Sequence, residues 1–283
     1  MKRLIFGATG NIGSRVTERL IARGERPSVF ARDAKKAKAL FGDKVDIHGG
    51  DLDKPRSSLK AALAGVDAVF LVTDGPGLEV HDRAVAVAAK SAGVRQIVKL
   101  STLDVNSGVG TGPWHARGEA AIRESGLSYT FIHAAGFMSN ALGWSHSIRE
   151  KGVLRTSTGT GKIAFIHPDD LADVATAALL SHEYDGQSLV ITGPEALSYG
   201  AMAQVIGDAI GKRVRFEEIS DQQAYRSVVR WAGKGPYADA LVDIWRAVCE
   251  GRLATVSDGV QQVLGRKPIS FDRWVKENAD AFQ

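Results

Sequence analysis

The sequence is poor in cysteine, in charge of one sign and in long apolar runs. Its 283 residues include one cysteine, Cys249, so no disulfide can form within the chain, which fits a reducing compartment and excludes a cysteine-rich zinc site. The 36 Lys and Arg residues are dispersed and nearly balance the 32 Asp and Glu residues, so nucleic acid is not an expected partner. No apolar stretch approaches the ~20 residues of a membrane span. We therefore expect a cytoplasmic globular protein without a metal site.

Glycine, by contrast, is abundant, with 31 residues, and three of them mark a turn between a strand and a helix. The apolar run Leu4-Ile5-Phe6 leads directly into Gly7-Ala8-Thr9-Gly10-Asn11-Ile12-Gly13, and apolar residues then recur at helical spacing. This order suits a dinucleotide, because the free N–H groups and the dipole of a helix N-terminus favour a pyrophosphate. The spacing is G-x-x-G-x-x-G, so an ordinary glycine loop is the alternative.

The residue after the second predicted strand indicates which dinucleotide is bound. Arg32 follows that strand, 19 residues after Gly13 (32 − 13). NAD enzymes place an acid near this point for the ribose hydroxyl, whereas NADP enzymes place a cation there for the 2′-phosphate. Arg32 offers two parallel donors, and Lys35 is close behind, but Asp33 could bind the NAD ribose instead. The sequence favours NADP(H), and NAD(H) is the alternative cofactor. Arg32 could also be a solvated surface charge without a role in binding.

Strands and helices alternate along most of the chain. This alternation predicts an α/β fold, a doubly wound parallel sheet with right-handed crossovers. We expect the dinucleotide-binding domain to cover residues 1–195 and a smaller, mostly helical domain on the substrate side to cover 196–283. Residues from about 136 to 152 are expected to contribute to the pocket.

Ligands of such sheets lie outside the carboxyl ends of the strands, and this rule supplies the candidate site. The predicted cofactor contacts are Gly7, Thr9, Gly10, Asn11, Ile12, Gly13, Arg32, Lys35, Asp51, Leu52, Val72, Thr73, Ser101, Thr102, Ala135, Gly136 and Phe137. The predicted substrate-pocket residues are Trp114, His133, Met138, Asn140 and Trp144. The aromatic members of this second set are equally compatible with ordinary core.

A further absence concerns the chemistry. Many reductases on a parallel sheet use a Tyr-x-x-x-Lys pair, in which tyrosine donates a proton and lysine lowers its pKa. The region after Ser101 has no such pair, and His115 stands there with Glu119 on the same helix face. His115 is a candidate proton donor or cofactor contact, with Glu119 orienting it. The alternative is a histidine at a helix start beside a surface carboxylate.

The ordered set of motifs resembles the NmrA-like proteins, which are atypical relatives of the short-chain dehydrogenases/reductases. It covers nearly the whole chain and comprises the glycine turn, Arg32-Asp33, Gly50-Asp51-Leu52, His115-x-x-x-Glu119, residues 125–131, Gly136-Phe137-Met138-x-Asn140, residues 165–175, residues 192–195 and residues 264–268. The resemblance implies a Rossmann domain and a preference for NADP(H). His133-Ala134 stands where the family usually has Arg-Pro, which puts one pocket contact in doubt.

Two functions remain open on this basis. The first is an NADPH-dependent oxidoreductase that delivers hydride to a conjugated acceptor such as a quinone or dye, whose delocalised charge removes the need for a strong proton donor. The second is a non-catalytic NADP(H)-binding redox sensor that acts through a protein partner. A sugar-nucleotide epimerase or dehydratase is disfavoured by the missing tyrosine. We expect a monomer or homodimer.

Overall fold

The computed structural model describes residues 1–54 and 56–283, without the side chains of residues 56 and 57. The strands of the described chain are β1 (Arg3–Phe6), β2 (Ser28–Ala31), β3 (Asp46–Gly49), β4 (Ala68–Leu71), β5 (Gln96–Thr102), β6 (Ser128–Ala134), β7 (Val153–Thr156), β8 (Lys162–Ile163), β9 (Gln187–Ile191), β10 (Leu197–Ser198) and β11 (Arg215–Glu218). Seven of them form the main sheet, in the order β3-β2-β1-β4-β5-β6-β9.

The helices of the described chain are α1 (Asn11–Ala22), α2 (Ala34–Phe41), α3 (Arg56–Leu63), α4 (Leu78–Ser91), α5 (Gly112–Glu124), α6 (Ser145–Lys151), α7 (Pro168–Leu180), α8 (Tyr199–Ile210), α9 (Asp221–Ala232), α10 (Pro236–Cys249), α11 (Gly259–Leu264) and α12 (Phe271–Glu277). Short 3₁₀ turns lie at Leu103–Asn106, Met138–Trp144 and Ala279–Phe282. No helix in the described part of the chain is long and apolar enough to cross a membrane.

The main sheet confirms the predicted doubly wound architecture. β1 pairs in parallel with both β2 and β4, and the pairings β2–β3 and β4–β5 are parallel as well. The chain therefore winds outward from β1 in one direction, returns, and continues from β4 in the other. Ligands of such sheets bind where the winding direction reverses, so the structure puts the switch point between β1 and β4.

The central strands β1 and β4 are buried and, apart from Arg3, apolar, because helices cover both of their faces. All four residues of β1 and all four of β4 are buried. A continuous apolar strand is the pattern that a parallel sheet covered on both faces requires. The prediction of a doubly wound parallel sheet rested on this pattern.

The described chain divides into two compact units, each built from three segments. The first comprises residues 1–105, 113–133 and 171–189, and the second comprises 106–112, 134–170 and 190–283. The core of the first unit includes Phe6, Phe30 and Phe131, and that of the second includes Phe165 and Trp274. The domain boundary expected after residue 195 stays a prediction.

Candidate functional site

The glycine turn after β1 has room for glycine alone at two positions. Gly7 has φ +68°, and a Cβ on it would lie 2.9 Å from Val72 Cβ at the end of β4. A Cβ on Gly13 would lie 2.2 Å from the carbonyl oxygen of Gly7. These contacts show that α1 packs directly on the turn, and that the turn packs on the end of β4. They are the close approaches that a dinucleotide-binding turn needs.

The start of α1 fits an anion. Gly10 is the N-cap, and within residues 1–54 and 56–283 no side chain caps this helix start, nor does its first turn hold an acidic residue. The N–H of Gly10 donates to the oxygen of Gly7 at 2.9 Å, which closes the turn. The N–H groups of Ile12 and Gly13 and the positive end of the helix dipole are thus available to a ligand. A dinucleotide pyrophosphate has the charge and acceptor oxygens that this end requires.

Arg32 and Asp33, the two residues from which the sequence analysis predicts the cofactor, have different surroundings. Asp33 is the N-cap of α2, and its carboxylate accepts a hydrogen bond from the N–H of Lys36 at 2.9 Å. Arg32 and Lys35 are exposed, and the Arg32 guanidinium has no ion-pair partner in the described part of the chain. The Asp33 carboxylate is therefore partly engaged by the start of α2, whereas the Arg32 guanidinium is available to a phosphate.

The loop after β3 is held by its own acids. Asp51 accepts a hydrogen bond from the N–H of Asp53 at 3.1 Å. Asp53 in turn lies 2.8 Å from Nε2 of His81 on α4, and Leu52 packs against the core of the first unit. The predicted contacts Asp51 and Leu52 thus sit in a loop that α4 ties down.

Thr73, at the end of β4, belongs to a buried charged cluster that the sequence analysis missed. Its hydroxyl donates to Asp82 Oδ1 at 2.7 Å and accepts from Lys99 Nζ at 3.2 Å. Lys99 Nζ lies 2.7 Å from Asp82 Oδ2, and neither charged side chain is exposed to solvent. A lysine between the apolar residues Val98 and Leu100 of a buried strand was the available signal, because a buried ammonium group needs a charged partner.

Glu119 does not orient His115, so the predicted pairing is wrong. The Ser101 hydroxyl donates to Glu119 Oε1 at 2.5 Å, and His133 Nε2 lies 2.9 Å from the same oxygen. Arg123 contacts Oε2 at 3.0 Å. Burial raises the pKa of Glu119, but the hydrogen bonds from His133 and Ser101 and the charge of Arg123 outweigh it, so the pKa lies below its usual range. The buried carboxylate is ionised and contacts the ends of β5 and β6 through Oε1, while its Oε2 contacts Arg123 on its own helix.

His115 is neutral near neutral pH. Its Nδ1 is buried without a hydrogen-bond partner among the described residues. Desolvation lowers the pKa of His115 to about 2, and electrostatic interactions with Lys99 and His133 contribute to the shift. The side chain can offer a neutral N–H, but it is not an imidazolium acid under physiological conditions.

Several predicted site residues lie in the second unit, where β6 ends. The N–H of Ala135 donates to the oxygen of Ile191 at 3.0 Å, and Phe137 forms a parallel bridge with Ile166. Gly136 is packed so closely that a Cβ there would lie 2.6 Å from Phe165 Cε1. The backbone of this segment is therefore fixed by strand-like contacts.

The predicted pocket residues have different degrees of burial. Met138 is 1% exposed and belongs to the core of the second unit, and His133 is buried beside Glu119. Trp144 is half-buried, with its ring 5.3 Å from that of Tyr199, whereas Asn140 is exposed. Trp114 is half-buried in the first turn of α5. Of the five, Trp114, Asn140 and Trp144 retain surface that a ligand could contact.

Comparison with known proteins agrees with this geometry. Residues 7–182 match a family model described as NAD(P)H-binding, so the chain belongs to that family of dinucleotide-binding proteins. The resemblance to NmrA-like proteins is confirmed: an NmrA-like family domain-containing oxidoreductase of Aspergillus flavus is 25% identical over 287 residues, covering 95% of this chain and 92% of that protein.

Two further similarities extend along almost the whole chain. An NAD(P)H azoreductase of Xenophilus azovorans is 36% identical over 283 residues, covering 99% of this chain and 98% of that protein. A solved structure of an NADPH-dependent quinone oxidoreductase from Escherichia coli, complexed with NADPH, matches with a TM-score of 0.88 at 25% identity, covering 98% of this chain and 99% of that chain. The family and the glycine turn together establish an NAD(P)H-binding protein.

Proposed function

We propose that the protein is an NADPH-dependent reductase that delivers hydride to a flat conjugated acceptor such as a quinone or an azo dye. The observation that carries this proposal is that the described polar groups near the ends of β4 and β5 include no available strong acid. The hydroxyl protons of Thr73 and Ser101 are committed to Asp82 and Glu119, and His115 is neutral. An acceptor that delocalises negative charge over a conjugated system needs no strong acid during hydride transfer, so it suits these groups.

The names of the similar proteins support the same class of acceptor. One acts as an NAD(P)H azoreductase, and another is an NADPH-dependent quinone oxidoreductase. Both names describe conjugated acceptors reduced at the expense of a nicotinamide cofactor. Their similarity to this chain extends along its whole length, so it includes the segments on either side of the glycine turn.

Different residues of the first unit would bind different parts of the cofactor. The turn from Gly7 to Gly13 would hold the pyrophosphate, and Arg32 with Lys35 the 2′-phosphate. When bound, NADPH supplies one hydride, and the quinone takes that hydride and one proton from water to become the hydroquinone. The protein then has to bind and orient the cofactor and the acceptor, not to supply an acid.

Arg32 is proposed to give the preference for NADP(H). Its guanidinium is exposed and free for a phosphate, whereas the competing carboxylate of Asp33 caps α2. A planar guanidinium binds a phosphate with two parallel hydrogen bonds. Loss of this contact is expected to affect NADPH and to spare NADH.

Trp144 is proposed to contact the acceptor. It is half-buried and lies against the rings of Phe165 and Tyr199, at 6.3 Å and 5.3 Å between ring centroids. Such a cluster keeps an indole ring in one orientation, which favours stacking with a flat conjugated molecule. Trp144→Ala is expected to raise the KM of the acceptor and to leave NADPH binding unchanged.

The experiment mixes purified protein with NADPH and a panel of benzoquinones, naphthoquinones and azo dyes, and follows NADPH oxidation. Turnover with at least one acceptor, with a maximal rate that His115→Ala leaves within about twofold, is the expected result, since a neutral histidine is not an acid in the reaction. Tight NADPH binding without turnover on any acceptor would overturn the reductase and favour the redox sensor. A large loss of rate in His115→Ala would restore a catalytic role for that residue.

A further inference from the structure

A fully buried ion pair in the first unit has no role of its own in the hydride transfer proposed above. Lys99 Nζ on β5 lies 2.7 Å from Asp82 Oδ2 on α4, and both side chains have no exposed surface. The Thr73 hydroxyl, just beyond the last residue of β4, joins them by donating to Asp82 and accepting from Lys99. The three side chains thus connect two neighbouring strands to the helix that follows the first of them.

Helix α5 packs directly against this pair. A Cβ on Gly118 would lie 2.1 Å from Asp82 Oδ2 and 2.8 Å from Leu78 Cδ2, so this mid-helix glycine allows a contact that a larger residue would prevent. The same helix carries His115 and Glu119, and Glu119 holds the Ser101 hydroxyl. The pair therefore packs against the helix that carries His115 and Glu119.

Stability alone gives a poor reason for such a pair. Two charges taken out of water lose solvation that their attraction only partly restores, and apolar replacements of similar volume are often neutral or stabilising. Unlike apolar residues, the pair fixes the orientation of a neighbouring side chain, because its hydrogen bonds hold Thr73 in one rotamer. A ligand contact that is held in this way by a second layer of residues loses little freedom on binding.

We infer that Lys99 and Asp82 are positioning residues for the cofactor, which hold the end of β4 at Thr73 in the conformation that binds the dinucleotide. Thr73 lies at the carboxyl end of β4, next in the sheet to β1 and its glycine turn. Its neighbour Val72 already contacts that turn at Gly7. The inference rests on the proposed NADPH site and adds residues that do not themselves touch the ligand.

The test uses three variants and one control, measured without any acceptor. Lys99→Met/Asp82→Leu replaces the pair by apolar residues and leaves no charge unpaired. Thr73→Val removes only the hydroxyl, and Thr73→Ser keeps it. The control is Thr176→Val, because Thr176 is also fully buried in the first unit but donates only to the Ala172 oxygen of its own helix, at 2.7 Å. NADPH binding is titrated by calorimetry, and thermal unfolding is recorded for each protein.

The double variant and Thr73→Val are expected to raise the Kd for NADPH about three- to tenfold. Thr176→Val should bind NADPH like the original protein, and Thr73→Ser should lose less affinity than Thr73→Val because it keeps the hydroxyl. The double variant should unfold at a similar temperature. An unchanged Kd in the double variant and in Thr73→Val would overturn the inference and leave the pair a purely structural feature. If the double variant fails to fold, the difference in the Kd for NADPH between Thr73→Val and Thr73→Ser decides the test. Failure of the original protein to bind NADPH would instead overturn the proposed cofactor site.

Discussion

The starts of α1 and α8 show two treatments of the same physical problem. Each helix begins with N–H groups that lack partners within the helix. At α8 the side chain of Ser198 accepts a hydrogen bond from the N–H of Ala201 at 3.1 Å, and α2, α9 and α12 are likewise capped by Asp33, Ser220 and Ser270. At α1 the N-cap is Gly10, which makes no such bond. In the described part of the chain, the starts of α4, α6, α10 and α11 also lack a side-chain cap. Helix α1 differs from them in following the glycine turn at the carboxyl end of β1, the end of a parallel sheet where ligands bind, so its start is a place for an external anion.

The largest effect is expected from Gly13→Ala, which fills the contact between α1 and its turn. The added Cβ would lie 2.2 Å from the Gly7 oxygen, so the backbone of the turn must shift. We expect the Kd for NADPH to rise by about 100-fold, in line with the cost of overpacking a tight contact. Calorimetric titration measures the change.

The matched control for this variant is Gly200→Ala. Gly200 is also a helical glycine, but its nearest neighbours would be 3.7 Å or more from an added Cβ. It should bind NADPH as the unmodified chain does. Similar losses in both variants would show that the turn after β1 has no special role.

Arg32→Ala should have the next largest effect, and it separates the start of α2 from that of α1. Loss of a charged hydrogen bond to the 2′-phosphate is expected to raise the KM for NADPH by roughly ten- to a hundredfold. The KM for NADH should change little, because NADH lacks that phosphate. Steady-state kinetics with both cofactors measures the ratio, and equal changes in the two would show that Arg32 does not contact the 2′-phosphate.

Gly10→Asp gives α1 an N-cap side chain like those at the starts of α2 and α8. The new carboxylate would complete the N-cap and bring a negative charge to the place of the pyrophosphate. We expect roughly tenfold weaker NADPH binding from this repulsion, together with unchanged or higher thermal stability. Gly10→Asn adds a cap without the charge and serves as the control. Tighter binding in the aspartate variant would contradict an anion site.

The smallest effect is expected from the reverse change, Ser198→Ala at α8. Losing a serine N-cap should lower the free energy of unfolding by about 1 kcal/mol. NADPH affinity should stay the same after correction for any unfolded fraction. Urea unfolding and calorimetry together measure both quantities, and a loss of affinity without a loss of stability would show that α8 also takes part in binding.

The sequence was sufficient for the fold and for the glycine turn between β1 and α1. Apolar strands alternating with helices, and glycines at residues 7, 10 and 13, depend on local chemistry that a single sequence displays. The partner of Glu119 was not predictable in the same way, since His133 lies on another element and only the sheet order brings it near. Lys99 did leave a signal, a charge inside an apolar strand, but its partner Asp82 is fixed by tertiary packing.

The short elements after β6 show the same limit. The 3₁₀ turn Met138–Trp144 and helix α6 carry no clear helical periodicity, and we predicted neither. Met138 is held there by the core of the second unit, because tertiary contacts outweigh local preference in short segments. Burial of such residues could therefore not be inferred from spacing.

The most direct test of an anion site at α1 is NMR of the backbone amides during titration with NADPH. The N–H resonances of residues 10–13 should shift as the cofactor binds, while those of Ser198 to Ala201 at the capped α8 stay in place. Inorganic pyrophosphate should shift the same α1 resonances in the same direction. Saturation of the protein with NADPH while the α1 amides remain unmoved would contradict the assignment of this helix start to the dinucleotide phosphates.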